Sequence, residues 1–121
     1  MMTEMWEVEF TDQFGAWWEQ LPDAEQESVA AAVEFLQEQG PALRRPFVGS
    51  IETSRHANMK ELIPMGGHLR VLFAFDPRRT AILLIAGDKT GRWREWYEEM
   101  VPIADELYDE HLSTLREEGE I

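Results

Sequence analysis

The sequence contains no cysteine, which excludes disulfides, thiolate metal sites and a cysteine nucleophile and leaves a cytoplasmic location unopposed. No apolar run approaches the ~18 residues of a membrane-spanning helix, and MMTEMWEVEF has no basic region leading into an apolar one. The chain is therefore expected neither to span a membrane nor to leave the cell by the usual signal. His56, His68 and His111 are scattered, without HExxH or paired spacing, so no metal is expected. Also missing are the GxxxxGK[ST] phosphate loop, the GxSxG elbow and the dinucleotide fingerprint; GDKTG has a Lys-Thr pair but not the phosphate-loop spacing. No cofactor is implied.

Positive charge is scarce, with 11 Lys and Arg against 24 Asp and Glu and a net charge of −13. That balance opposes long-range attraction of a nucleic acid, because phosphate binding is dominated by basic side chains. The average hides a segregation. Residues 1–43 hold ten acids and no Lys or Arg, and residues 95–121 hold ten acids and only Arg116. Ten of the 11 cations thus fall in residues 44–94, opposed by Glu52, Glu61, Asp76 and Asp88 alone. Such a segment can present a local positive patch, since potentials decay over about 8 Å at physiological salt. The acidic ends read as solvated helical faces.

At 121 residues, 44% hydrophobic and 29% charged, the sequence fits one domain, 1–121, large enough to bury a core. MWEVEF alternates as a half-buried strand with Trp6, Val8 and Phe10 on one face. Thr11 can cap a short helix carrying Phe14, Trp17, Trp18 and Leu21, a tryptophan pair more in keeping with core than with a stacking platform. Asp23 and Gln26 resemble a capping box for a second helix that Gly40 and Pro41 stop. PALRRPFVGS reads as an ordered surface loop. A strand is predicted over His56 to Ile63, with His56, Asn58 and Lys60 on one face. Leu69 to Phe75 and Thr80 to Ala86 form an apolar hairpin whose Asp76-Pro77 turn puts Arg78 and Arg79 at the tip. Trp93, Trp96, Tyr97 and Met100 are helically spaced, and Pro102 suits the first turn of a further helix. The expected class is α+β: a helical hairpin on one face of a small, mostly antiparallel sheet, and a helical C-terminus.

Within this order Lys60, Arg70, Lys89 and Arg92 can line one end or face of the sheet. Arginine's planar, permanently charged fork matches a phosphodiester whose transition state gains negative charge. Each residue also has a structural reading: Arg70 can pair with Glu52, Glu61 or a C-terminal acid, Tyr97 can be a core residue with its hydroxyl at the edge, and His56 can be structural.

HANMKEL, GHLRVLFAFDPRRTAILLIAGDKTG and WREWYEEM together resemble the RelE/ParE superfamily of bacterial toxins, in its HigB-like branch of type II toxin–antitoxin systems. The resemblance spans about residues 5–112 and is firmest over 56–97. It implies a RelE-like order β-α-α-β-β-β-α and a cytoplasmic, metal-independent endoribonuclease that cleaves messenger RNA, usually on the ribosome. It also implies restraint by a cognate antitoxin, a helix-turn-helix protein through which alone the toxin would meet DNA. Lys60, Arg70, Lys89, Arg92, Tyr97 and His56 are the catalytic candidates it implies, with Arg55, Arg78, Arg79 and Trp93 as candidates for further RNA contact. A gyrase inhibitor of the ParE branch, or a non-catalytic partner-binding module, are the alternatives.

Overall fold

Two apolar strands form the centre of the computed structural model, which describes residues 5–121. They are β4 (Leu69–Phe75) and β5 (Ala81–Asp88). Before them run β1 (Val8–Phe10), α1 (Asp12–Glu19), α2 (Asp23–Gln39), a 3-10 turn (Gly40–Ala42), β2 (Val48–Ser50) and β3 (Lys60–Leu62), and after them α3 (Trp93–Glu117). The sheet order is β1-β5-β4-β3-β2, antiparallel except where β1 runs parallel to β5.

Because side chains alternate along a strand, the central pair supplies two cores. Leu69, Val71, Phe73 and Leu83 face α1 and α2, packing with Phe14, Val29 and Leu36. Leu72, Ala74, Ile82 and Leu84 face α3, packing with Val101, Ala104 and Leu107. The alternation is interrupted once: Leu72 pairs with Ile85 and Phe73 with Leu83, leaving Leu84 as the extra residue of a β-bulge. Leu84 and Ile85 consequently both serve the α3 side.

The helical hairpin forms as expected, and Thr11 caps α1 by accepting from the Phe14 amide at 3.0 Å. The capping box does not form. Pro22 occupies the N-cap of α2 with no side-chain cap, and the Gln26 amide donates instead to the Trp18 carbonyl at 2.8 Å, tying the two helices together. Phe10, placed on a buried face by its alternation, is 63% exposed, since β1 is a short edge strand.

Three further boundaries differ from expectation. Val48–Ser50 forms an edge strand, giving one strand more than the patterning implied; edge positions tolerate the nearby prolines. The strand predicted from His56 begins only at Lys60. Residues 52–58 leave the sheet and dock on α3, where Ser54 donates to Asp105, and Arg55 and His56 contact Asp109. Finally, Trp93–Glu117 is one helix that continues through Pro102. An interior proline costs ~3 kcal/mol. Each large buried side chain contributes ~1.5–3 kcal/mol, and Trp96, Val101, Leu107, Tyr108 and Leu115 are all buried along the same helix, so packing wins. Among the described residues no helix is long and apolar enough to cross a membrane.

Candidate functional site

Arg70 lies opposite Gly87 on the α3 side of the sheet. Its side chain is only 12% exposed, with Nε 2.9 Å from Glu61 Oε1. Nε has no aligned acceptor, so this contact is ionic rather than a directed hydrogen bond. Nη1 donates to the carbonyls of Gly67 at 2.7 Å and Leu69 at 2.9 Å. Glu61 reaches the same face because the next residue, Leu62, belongs to the opposite core. Its carboxylate accepts the Tyr97 hydroxyl at 2.5 Å.

The first turns of α3 complete the group. A Cβ at Gly87 would sit 2.6 Å from Trp96 Nε1, so glycine there lets the helix approach the sheet closely. Trp96 is buried, and Tyr97 meets it edge-on with ring centroids 5.1 Å apart. Burial, then the bond to Glu61, pushes the Tyr97 phenol up to about 12; it remains a proton donor at neutral pH. Lys89, on the loop after β5, places its ammonium 5.1 Å from the ring centre of Trp93. Burial first and the Arg70 charge second lower the Lys89 pKa, outweighing Glu61 and Asp88. Trp93 is 63% exposed and meets Tyr97 edge-on at 5.8 Å.

Arg70 and Tyr97 thus meet on Glu61, with Trp93 against Tyr97 and Lys89 against Trp93. The other sequence candidates are elsewhere. Lys60 pairs with Phe73 and Ser50, which turns it to the α1/α2 side, beside Arg44 and Arg45 in a cavity of about 500 Å³. Of the expectation that Lys60 and Arg70 line one end or face of the sheet, this register corrects the shared face. His56 shares Asp109 with Arg55, at 2.7 Å from His56 Nε2, and meets the Tyr108 ring edge-on. Both lie toward the far half of α3. Arg92 pairs with Glu99 on the exposed side of that helix. Arg78 and Arg79 do lie at the hairpin tip, but Arg78 binds Asp76 and Glu9, and Arg79 stacks 4.9 Å over Trp6.

Asp76 anchors that tip. Its side chain is fully buried and accepts from the Arg78 and Thr80 amides, the Arg78 guanidinium and His111 Nε2. Burial pushes its carboxyl up, and the bonds from His111, Arg78 and Thr80 outweigh burial to leave it below the usual carboxylate value.

Glu61 is the member that sequence reasoning named only as a possible partner for Arg70. It is the buried acid of the basic segment nearest Arg70. Its signal was parity: Glu61 alternates with Leu62 on a strand whose Leu faces the core. Chemically, the group offers two cations, a phenol donor and a carboxylate acceptor at one end of the three inner strands.

Residues 16–109 match the family described as "Phage derived protein Gp49-like". The "Putative toxin HigB2" of Mycobacterium tuberculosis is 49% identical over 105 residues, covering 84% of this chain and 52% of that protein. The chain therefore spans about half the length of that relative. The "Putative toxin HigB3" of the same organism is 48% identical over 87 residues, covering 72% of this chain and 76% of that protein. Among solved structures, RelE in the archaeal RelE-RelB complex from Pyrococcus horikoshii superposes with a TM-score of 0.56 at 20% identity, over 75% of this chain and 99% of that one. A mutant E. coli toxin RelE in the free state gives a TM-score of 0.59 at 11% identity, over 78% of this chain and 93% of that one. At these identities the likeness shows a shared fold.

Proposed function

The chain belongs to the phage-derived Gp49-like family, and from that premise we propose that it is the toxin of a type II toxin–antitoxin system, one domain over residues 1–121 that cleaves messenger RNA in the cytoplasm. The relatives' names as toxins and the RelE fold support the class. The observation that carries the chemistry is the meeting of Arg70 and Tyr97 on buried Glu61, with Lys89 on the adjoining loop against Trp93.

In this reading the ribose 2′-oxygen attacks the adjacent phosphorus and the P–O5′ bond breaks, giving a 2′,3′-cyclic phosphate and a free 5′-hydroxyl. Arg70, already fixed by two carbonyls, meets the growing phosphorane charge without first being ordered. Glu61 accepts the 2′-hydroxyl proton while Tyr97 and Arg70 hold it in place. Lys89, with its lowered pKa, gives a proton to O5′ more readily than an ordinary lysine does. His56 and Lys60 stand outside this step.

Restraint would come from a cognate antitoxin, as in the RelE-RelB complexes of fold relatives. We assign that role to a helix-turn-helix protein, which would also be the toxin's link to DNA. Induction of the wild-type protein is expected to arrest growth and cut translated messages, whereas induced Arg70→Ala does neither. Arrest with intact messages and blocked supercoiling would instead indicate gyrase inhibition. No arrest by the folded wild-type protein would leave partner binding.

A further inference from the structure

Only one of the two Glu61 oxygens is engaged by its neighbours. Oε1 accepts the Tyr97 hydroxyl and lies against Arg70 Nε. Oε2 has no partner among the described residues, where the buried side-chain atom left without a hydrogen bond is Arg70 Nε. Oε2 is therefore open to solvent.

The β2–β3 register decides what Oε2 faces. Gly49 stands directly opposite Glu61, and residues opposite each other in an antiparallel pair project to the same side of the sheet. Gly49 has nothing to project. The point where its Cβ would stand is 3.3 Å from Glu61 Oε2 and 2.8 Å from Arg45 Nη2. Arg45 also lines the cavity on the α1/α2 side; because β2 is the edge strand, the arginine reaches across it to the Glu61 side. The guanidinium and the carboxylate border one notch without closing into an ion pair, and Arg45 has no other among the described residues. Glycine keeps the notch open, since a methyl group at residue 49 would fill it.

We propose that this notch seats the reacting 2′-hydroxyl of the RNA and that Arg45 is a catalytic residue holding the phosphate beside it; the assignment deepens the ribonuclease reading and rests on it. A ribonucleotide carries on neighbouring carbons the two groups that the notch answers, a hydroxyl that donates and a phosphate whose non-bridging oxygens accept. The hydroxyl donates to Oε2, and a non-bridging oxygen takes the Arg45 N–H groups. As the 2′-oxygen bonds to phosphorus, its proton passes to Oε2, and the P–O5′ electron pair leaves with O5′, which Lys89 protonates. Arg45 on the Oε2 side and Arg70 on the Oε1 side then meet the phosphorane charge together. DNA offers Oε2 no donor, so the notch also tells RNA from DNA.

Two measurements test this. The first titrates the intact protein with cytidine 3′-monophosphate, its 2′-deoxy analogue and cytidine 5′-monophosphate, none of which has a bond to cleave, following the residue-49 amide by NMR. The 3′-monophosphate is expected to bind about tenfold more tightly than the other two, reflecting one charge-assisted hydrogen bond. Arg45→Ala should weaken it about tenfold. Gly49→Ala should erase the preference while the melting temperature stays close to wild type, because the nearest atom it displaces is the end of a flexible side chain. The second measurement maps 5′-hydroxyl RNA ends after induction. Arg45→Ala should lower them about 100-fold, Arg45→Lys should recover part by keeping the charge without the fork, and Arg44→Ala should leave them unchanged. A 3′-monophosphate preference that Arg45→Ala removes, in a wild-type protein that cuts no RNA, would keep the notch and sink the ribonuclease reading. Wild-type cleavage that Arg45→Ala leaves intact, or that Arg44→Ala lowers equally, would keep that reading and overturn the notch. Nucleotides that bind equally or not at all would overturn the notch as well.

Discussion

Replacing Asp76 with asparagine isolates the contact that fixes the hairpin tip to α3. The carboxylate has no solvent exposure. One oxygen accepts from the amides of Arg78 at 2.9 Å and Thr80 at 3.2 Å, and the other from Arg78 Nε at 3.0 Å, Arg78 Nη2 at 2.8 Å and His111 Nε2 at 2.8 Å. Asparagine must turn an NH2 group toward one of these sets of donors, and it removes the charge that Arg78 and His111 answer. Breaking a buried pair from one side costs about 3–5 kcal/mol. Arg78 is 24% exposed and recovers some hydration, so the low end, about 3 kcal/mol, is expected. For a chain of this size that lowers the melting temperature by roughly 12 °C. Glu9→Gln, which touches the same arginine from a half-exposed position, should cost under about 1 kcal/mol.

Urea unfolding followed by circular dichroism measures both variants, and pH supplies a second check. Asp76 is depressed in the folded state, so its contribution is present above the ordinary carboxylate value of 3.8 and is lost as pH falls through the folded value. The gap between wild type and Asp76→Asn should be flat above that point and narrow below it. A loss as small as that of Glu9→Gln, or a gap that does not narrow in acid, would refute the reasoning.

Two further perturbations follow from the same geometry. Gly87→Ala puts a Cβ 2.6 Å from Trp96 Nε1; the overpacking should cost about 1–3 kcal/mol and, by displacing Tyr97, reduce RNA cleavage, and a melting temperature equal to wild type would contradict the close approach. The hydrogen bond that His68 Nε2 donates to Glu25 raises the His68 pKa against partial desolvation, so its stabilisation is full below 6.5 and lost as pH rises through the folded value. Melting temperatures of wild type and His68→Gln should accordingly converge between mildly acidic and alkaline buffer; a constant difference would deny the pair that role.

The central hairpin was legible because Leu69 to Phe75 alternates about a buried face and Ala81 to Ala86 is apolar on both faces. Arg70 and Lys89 could be nominated as cations at the ends of these apolar strands, whereas Tyr97, on an apolar helical stripe, was nominated through the family resemblance alone. Lys60 shows where that reading stops. A strand starting at His56 assigns no register, and a single residue of shift moves a side chain to the other face; only the Lys60–Phe73 pairing decides it. His56 was drawn off the sheet by Asp109, 53 positions away, a contact with no local signature. Pro102 reads locally as a helix start, and only the apolar stripe continuing on both sides of it carries the helix through. Glu61 was visible as an acid but not as the residue around which the cluster closes, because its burial depends on α3 lying across it.

Mapping the RNA ends left by induced Arg70→Ala, Tyr97→Phe, Lys60→Ala and His56→Ala proteins, each checked for folding, tests the central claim most directly. The 5′-hydroxyl and 2′,3′-cyclic phosphate ends should disappear with Arg70→Ala, fall sharply with Tyr97→Phe, and persist with Lys60→Ala and His56→Ala. Undiminished cleavage by Arg70→Ala, or its loss with Lys60→Ala and His56→Ala instead, would contradict it.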